Sequence, residues 1–124
     1  MIRHYTELIV WQKGMDLAEM MYYSTAKFPR EERYGITSQI QRAVVSVPTN
    51  IAEGQGRSTT KDFVHFLHIA RGSNQEVQTL LHLCHRIGYL DSERLNQLLA
   101  LSMEVSKLLN GLINSLRVSC VASD

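Results

Sequence analysis

The chain of 124 residues contains little proline, cysteine or glycine: two, two and seven residues. Two cysteines, Cys84 and Cys120, are too few for a disulfide framework, which predicts a reduced, cytoplasmic protein. No apolar run is long enough to span a bilayer, and the first residues lack the apolar core of a signal peptide. We therefore expect no membrane partner. Proline and glycine, which break helices, are few, and most of the remaining residues favour helix formation.

Charge is nearly balanced, with a formal net charge of +1 when histidine is neutral. That value is no signature of nucleic-acid binding. The distribution is slightly uneven, because residues 36–90 hold five basic against three acidic residues, together with four of the five histidines. The candidate nucleic-acid contacts are the basic residues of this segment: Arg42, Arg57, Lys61, Arg71 and Arg86.

Apolar residues recur at spacings of three and four over four segments, which predicts four amphipathic helices. They are expected at about residues 10–27, 37–54, 60–87 and 92–117, with a loose tail at 118–124. Short connections favour an antiparallel, up-down-up-down four-helix bundle, and the length predicts one domain over residues 1–124. The apolar stripe of the fourth helix is wider than one bundle seam needs, so part of it is expected to face another subunit.

The inward faces of the first and third helices follow from the same spacing. For the first helix we predict Trp11, Met15, Ala18, Met21, Tyr22 and Thr25. For the third we predict Phe63, Phe66, Leu67, Ala70, Ser73, Val77, Leu80, Leu81, Cys84 and Ile87. The middle of the third helix has small side chains, which favour close approach of another backbone: Ala70, Gly72 and Ser73. Thr59 is the expected N-cap of this helix, with Asp62 in its first turn.

The second helix contains a proline, Pro48, which typically costs about 3 kcal/mol inside a helix. Two interpretations remain: the helix ends near Val47 and restarts at Thr49, or it continues with a kink at Pro48. The kink is favoured because Ile51 stays in phase with Val44. The apolar stripe is Ile40, Ala43, Val44, Val47 and Ile51, beside a polar line of Gln39, Arg42, Ser46, Asn50 and Glu53.

Three interpretations of the polar line remain open. It is a solvated face, or a buried network in which Arg42 or Arg57 pairs with Glu53 or Glu76 across helices, or a binding face for a phosphate backbone or a protein. Charges inside a bundle must be paired. Arg42 and Glu53 are too far apart along one helix to pair directly.

The segment from Gly54 to Thr59 runs into the start of the third helix. It lacks the lysine and the spacing of a P-loop, and no strand precedes it. Free backbone N–H groups at a helix N-terminus favour anions, and Arg57 and Lys61 add positive charge there. A phosphate contact and an ordinary glycine turn are both compatible with the segment.

Catalytic and metal motifs are weak. His65 and His68 lie three apart, as do His82 and His85, but neither pair has the glutamate of a Glu-x-x-His motif. A metal-dependent hydrolase is therefore a remote alternative. Cys84 falls in the predicted core, where thiols are inert. We expect no enzyme activity, no cofactor and no metal.

The order of residues around Pro48 resembles that of bacterial four-helix-bundle proteins encoded in intervening sequences of large-subunit ribosomal RNA genes. The resemblance is carried by Arg42, Ser46, Pro48, Asn50, Ile51, Ala52, Glu53, Gly54 and Gly56-Arg57-Ser58, and it continues over about residues 8–90. Upstream it includes Val10-Trp11-Gln12-Lys13, and downstream Ile69-Ala70, Gly72-Ser73 and Glu76. The same family is similar to the accessory protein of diversity-generating retroelements.

This resemblance implies a ring-like homo-oligomer, a pentamer, that binds RNA or DNA and a reverse transcriptase or another protein. A ring would concentrate the modest basic face, because symmetry repeats each arginine. An interaction scaffold that does not bind nucleic acid is the main alternative. The residues expected to shape the bundle or its interface are Pro48, Asn50, Glu53, Gly54, Gly72, Ser73 and Glu76.

Overall fold

The computed structural model describes the backbone of residues 4–123 and the side chains of residues 4–118. This part of the chain forms four α-helices and no strand: α1 (Ile9–Thr25), α2 (Ile36–Gln55), α3 (Thr60–Arg86) and α4 (Ser92–Ser123). Two short 3-10 helices, Tyr5–Glu7 and Arg30–Glu32, precede α1 and α2. Each α-helix packs against its neighbours in the chain, and α1 also packs against α4. The arrangement is all-α and consistent with a four-helix bundle.

The helix boundaries lie close to the predicted ones except at the end of α4. This helix continues to Ser123, so the loose tail predicted from residue 118 is wrong over residues 118–123, and Asp124 lies outside the described residues. The sequence after Arg117 contains no proline or glycine to end the helix. At the start of α3 the predicted cap is confirmed, because the Thr59 hydroxyl accepts from the Asp62 backbone N–H at 3.1 Å.

Pro48 lies inside a continuous α2, so the helix does not end and restart there. The proline is buried, and its ring packs on Gly14 of α1: a Cβ added to Gly14 would lie 3.5 Å from both Cβ and Cδ of Pro48. The missing hydrogen bond of an interior proline is thus accompanied by close packing between the two helices. Among the described helices, none has the length and apolar content needed to cross a membrane.

The buried stripe of α2 is confirmed in full, and that of α1 is confirmed in part, because Ala18, Met21 and Thr25 are buried. Trp11 is only half-buried, and Met15 and Tyr22 are 44% and 47% exposed. Leu17, which the prediction omitted, is fully buried. The predicted stripe is therefore wrong at Met15 and Tyr22 and misses Leu17, because a large side chain at helical spacing can still lie at the edge of the buried face. On α3 the prediction holds from Leu67 to Cys84, with two exceptions. Ser73 is only half-buried, and Asn74 replaces it in the core.

Asn74 is a fully buried polar residue between α3 and α4. Its Nδ2 donates to the Ser102 carbonyl at 2.9 Å and to Ser106 Oγ at 2.8 Å, and its Oδ1 accepts from Ser102 Oγ at 2.7 Å. Gln78 Nε2 also donates to Ser102 Oγ, at 3.0 Å. A buried polar network is stabilising only when its polar groups are hydrogen-bonded to one another. These bonds form only at one position of α3 along α4, so the network fixes that position.

Candidate functional site

An open groove of about 610 Å³ lies between α2 and α3. One end is lined by Tyr34 and Gly35, which precede α2, and one wall is formed by α3. The polar line of α2 contributes to it because residues three and four apart share one helix face. The polar lining residues on the two helices are Ser38, Gln39, Arg42, Ser46, Ser73 and Glu76.

Two residues predicted to shape the bundle or its interface, Asn50 and Ser73, are both hydrogen-bonded to Ser46 of the polar line. The hydroxyls of Ser46 and Ser73 lie 2.9 Å apart, joining α2 to α3. Asn50 Nδ2 donates to the Ser46 carbonyl at 2.8 Å and to Ser46 Oγ at 2.9 Å. These bonds engage the hydroxyls of Ser46 and Ser73 within the protein, whereas the structure, over the residues it describes, gives no such bond for the exposed side chains of Arg42 and Glu76.

Arg42 and Glu76 are exposed at the groove, and within the part of the chain that the structure describes neither forms a salt bridge. Arg57 does pair with Glu53, at 3.5 Å, but both side chains are on the surface. The interpretation of the polar line as a buried ionic network is therefore wrong. An exposed pair of this kind contributes little to stability. Arg42 keeps its guanidinium donors available to a ligand.

An exposed aromatic residue stands at the mouth of the groove. Tyr34 is 88% exposed, and the guanidinium carbon of Arg33 lies 5.5 Å from its ring centroid. Sequence reasoning did not select either residue as a contact. The signal that was available is a large aromatic side chain in a polar loop, beside an arginine and immediately before a glycine. Exposed aromatics next to arginines are typical of surfaces that stack single-stranded bases.

The start of α3 is less open to an anion than the sequence predicted. The Arg57 guanidinium lies 4.6 Å from the Phe66 ring centroid as well as beside Glu53. Thr59 caps the helix, and Asp62 places a negative charge in its first turn. Lys61 is exposed there. Since an acid already complements the helix dipole, this end is a weaker phosphate site than its glycines imply.

Arg71 lies on another side of α3, facing α4. Its Nη2 is 2.9 Å from His68 Nδ1, and its Nη1 donates to Asn110 Oδ1 at 3.1 Å. Arg117 Nη2 lies 2.8 Å from His68 Nε2. Burial, followed by the charges of Arg71, Arg117 and His65, lowers the pKa of His68 below its ordinary value. Sequence reasoning missed Arg117, which lies far from His68 in the chain.

The five predicted basic contacts therefore do not share one surface. Arg42 belongs to the α2–α3 groove and Arg71 to the α3–α4 side. Arg86 is exposed at the C-terminal end of α3. Their spacing along the chain could not show this, because which side of a helix is covered depends on its neighbours.

The two glycines predicted to shape the bundle occupy opposite environments. Gly54 is buried, and a Cβ added to it would lie 2.8 Å from Cβ of Phe66. Gly54 thus lies inside α2 at a close helix contact, and α2 ends at Gln55. Gly72 is exposed, and an added Cβ there would meet nothing within 4 Å in this single chain. A role for Gly72 at an interface with another subunit stays a prediction.

Metal and nucleophile candidates are dispersed. Among the described side chains, no three histidine, cysteine or acidic residues are grouped so as to hold a metal ion. His65 and His82 are exposed, and His85 Nε2 contacts Ser92 Oγ at 3.2 Å. Cys84 is fully buried, and burial, followed by the charge of Glu32, raises its pKa to about 11. Such a thiol is a poor nucleophile at neutral pH.

A second, apolar groove of about 390 Å³ lies between α1 and α2. Met15 and Val45 are 44% and 40% exposed there, beside the half-buried Trp11. The sequence predicted the surplus apolar surface on α4. On that helix Met103 is 55% exposed, but the leucines beside the buried stripe are half-buried against the core: Leu99, Leu101 and Leu108. The α1–α2 groove is therefore an additional candidate for contact with another chain.

The model of a family described as 23S rRNA-intervening sequence protein matches residues 6–111 of this chain. Among solved structures, the chain is similar to a protein of unknown function from the S23 ribosomal protein family of Bacteroides thetaiotaomicron. The two share 25% sequence identity and a TM-score of 0.77, over 85% of this chain and 98% of that one. No curated protein sequence matches this chain.

Proposed function

The chain belongs to the family of 23S rRNA-intervening sequence proteins, and we propose that it is a non-enzymatic, oligomeric protein that binds single-stranded RNA or DNA. The observation that carries this proposal is the α2–α3 groove, where Arg42 has no acidic partner among the described residues and Tyr34 is exposed at the mouth. The sequence pointed to nucleic acid only through a small excess of basic residues and through what the family resemblance implies.

The chemistry of the groove fits an unpaired nucleotide. The Tyr34 ring offers a face for base stacking, which is worth about 1–3 kcal/mol per base. Arg42 offers donors to a phosphate oxygen, and the amide of Gln39 and the carboxylate of Glu76 offer donors and acceptors to base edges. A base within a duplex is stacked on both sides and cannot lie on Tyr34. The groove therefore favours single strands, loops or ends.

The proposal includes helices that alternate in direction. Ser46 contacts Ser73, and Gly54, further along α2, lies near the earlier Phe66. The same reversal relates α3 to α4, since Asn74 bonds Ser102 whereas His68 contacts Arg117. This pattern supports the up-down-up-down arrangement.

It also includes a ring-like homo-oligomer, for which the family resemblance implies a pentamer. The apolar α1–α2 groove supports self-association, because apolar side chains left in water favour contact with another chain. In a ring, every copy would present its Arg42 and Tyr34, so that modest single sites add up along one strand. Light scattering coupled to size exclusion tests this: a monomer at micromolar concentration contradicts the oligomer.

Binding is tested by fluorescence anisotropy with a labelled single-stranded RNA and its duplex. We expect the single strand to bind more tightly, and Arg42→Gln to weaken binding about tenfold while reducing the salt slope by about one. Tyr34→Ala should weaken binding without changing the slope. Lys107→Gln, which removes an exposed cation of α4, is the control. Equal losses in all three variants, or no binding at low salt, would refute the groove as the site.

A protein–protein scaffold is the second candidate, favoured by the same apolar α1–α2 groove. Its partner would be a reverse transcriptase or another protein. A tagged chain recovered from lysate with and without nuclease separates the two: a partner that needs nucleic acid is lost after nuclease, whereas a direct partner remains. Met15→Glu should then release the direct partner, whereas Arg42→Gln, in the α2–α3 groove, should leave it bound.

A further inference from the structure

A cluster of two arginines and a histidine lies between α3 and α4. The two ring nitrogens of His68 each face a guanidinium, Arg71 at 2.9 Å and Arg117 at 2.8 Å. Arg71 is anchored through its other nitrogen to Asn110 Oδ1 at 3.1 Å. Within the described part of the chain, neither guanidinium forms a salt bridge with an aspartate or glutamate.

Donors exceed acceptors in this cluster. A neutral imidazole has one nitrogen that accepts and one that carries hydrogen, and a guanidinium only donates. Only one of the two arginine contacts to His68 is therefore a hydrogen bond, and the other sets two N–H groups against each other. Protonation of the ring would remove the remaining acceptor as well. An oxyanion that accepts from the ring N–H and from a guanidinium resolves the conflict.

We propose that His68, Arg71 and Arg117 form a binding site for a tetrahedral oxyanion of the phosphate class. Arg71 is held in place by Asn110, and Arg117, whose Nη2 faces the other ring nitrogen of His68, is exposed to solvent on α4. Two guanidiniums and an imidazole N–H supply directed donors, and guanidinium geometry suits phosphate oxygens. The site is separate from the α2–α3 groove, because Arg71 and Ser73 lie on nearly opposite sides of α3, roughly 160° apart around its axis.

Binding at this site takes up a proton. The charged and titratable groups that face His68 are Arg71 and His65 from α3 and Arg117 from α4, and with burial they hold its pKa below the ordinary value of 6.5. A bound dianion offsets the positive charge, so it raises the pKa of His68. By linkage, the anion binds more tightly as pH falls from about 7.5 to about 5.5.

The test follows the His68 imidazole by NMR in the whole protein, with His68→Gln identifying its resonance. Sodium sulfate, which does not titrate in this range, is compared with sodium chloride at equal ionic strength. We expect sulfate to raise the pKa of His68 and Arg117→Gln to weaken sulfate binding at least about tenfold. Arg86→Gln removes an exposed cation that lies roughly 22 Å from Arg71 along α3, at about 1.5 Å per residue. This control should change neither the pKa of His68 nor sulfate binding.

A second titration uses a short single-stranded oligonucleotide in place of sulfate. If only the oligonucleotide raises the pKa of His68, the ligand is a phosphodiester backbone; if sulfate suffices, a free oxyanion is bound. The proposal is overturned if neither acts on His68, or if Arg86→Gln weakens binding as much as Arg117→Gln does. Arg42→Gln should leave the sulfate response intact, so this site and the α2–α3 groove succeed or fail separately.

Discussion

Gly54 of α2 and Phe66 of α3 approach so closely that a Cβ on Gly54 would lie 2.8 Å from Cβ of Phe66. The backbone carbonyl of Phe63 is also near, at 3.1 Å from that position. A glycine is thus required where α2 and α3 meet, although the backbone conformation there is helical. Gly54 therefore has a packing role between the two helices.

Gly54→Ala should destabilise the protein by about 1–3 kcal/mol, because the added methyl group forces Phe66 and the α3 backbone to shift. Gly72→Ala is the matched control and should stabilise by about 0.5–1 kcal/mol, since the helix gains propensity where there is open space. Chemical denaturation of both variants measures the difference. A Gly72→Ala variant less stable than wild type would contradict this and indicate a neighbouring subunit at that position.

Asn74→Ala should lower the free energy of unfolding by about 2–4 kcal/mol. The substitution leaves Ser102 Oγ and Ser106 Oγ without the buried amide they contact, and it opens a small cavity between α3 and α4. Asn114→Ala, on the exposed side of α4, is the comparison and should cost little. Thermal unfolding at a fixed protein concentration separates them. Equal effects would show that the network contributes nothing specific.

Stability should fall as the solution becomes more acidic than about pH 6.5, in part through His68. Its folded pKa is lowered, first by burial and then by Arg71, Arg117 and His65. The unfolded chain therefore takes up a proton at a pH where the folded chain does not. The contribution is full above the unfolded pKa and is lost as pH falls through the folded one. Denaturation of wild type and His68→Gln from pH 8 to pH 5 should show a shallower loss in the variant.

The Cys84 thiol should resist alkylation in the folded protein at pH 8. Burial raises its pKa to about 11, so almost no thiolate is present, and the side chain is fully buried. In a Cys120→Ser background, a thiol reagent should label the protein only as fast as it unfolds. Rapid labelling under native conditions, with the unfolding rate known from a separate measurement, would show that the α3–α4 core opens locally.

Much of the fold could be predicted from the local pattern of the sequence. The stripe of α2 and the Thr59 cap were predicted because each depends on residues within a few positions of one another. The continuous helix through Pro48 was predicted from phase alone. The partly misplaced stripe of α1 shows the limit of such reasoning. Met15 and Leu17 both lie at helical spacing from buried residues of α1, and only the shape of the surrounding core selects Leu17.

The order of residues determined that this chain is helical, that it forms four α-helices and that it belongs to its family, because helix periodicity and motif order are properties of the chain read along its length. Tertiary structure decided which polar residues meet. Tyr34 joins Arg42 at one groove, and His68 lies between Arg71 and Arg117, since helices distant in sequence pack side by side. The physical reason is that charge and hydrogen bonding act over a few ångströms in space, whatever the separation along the chain.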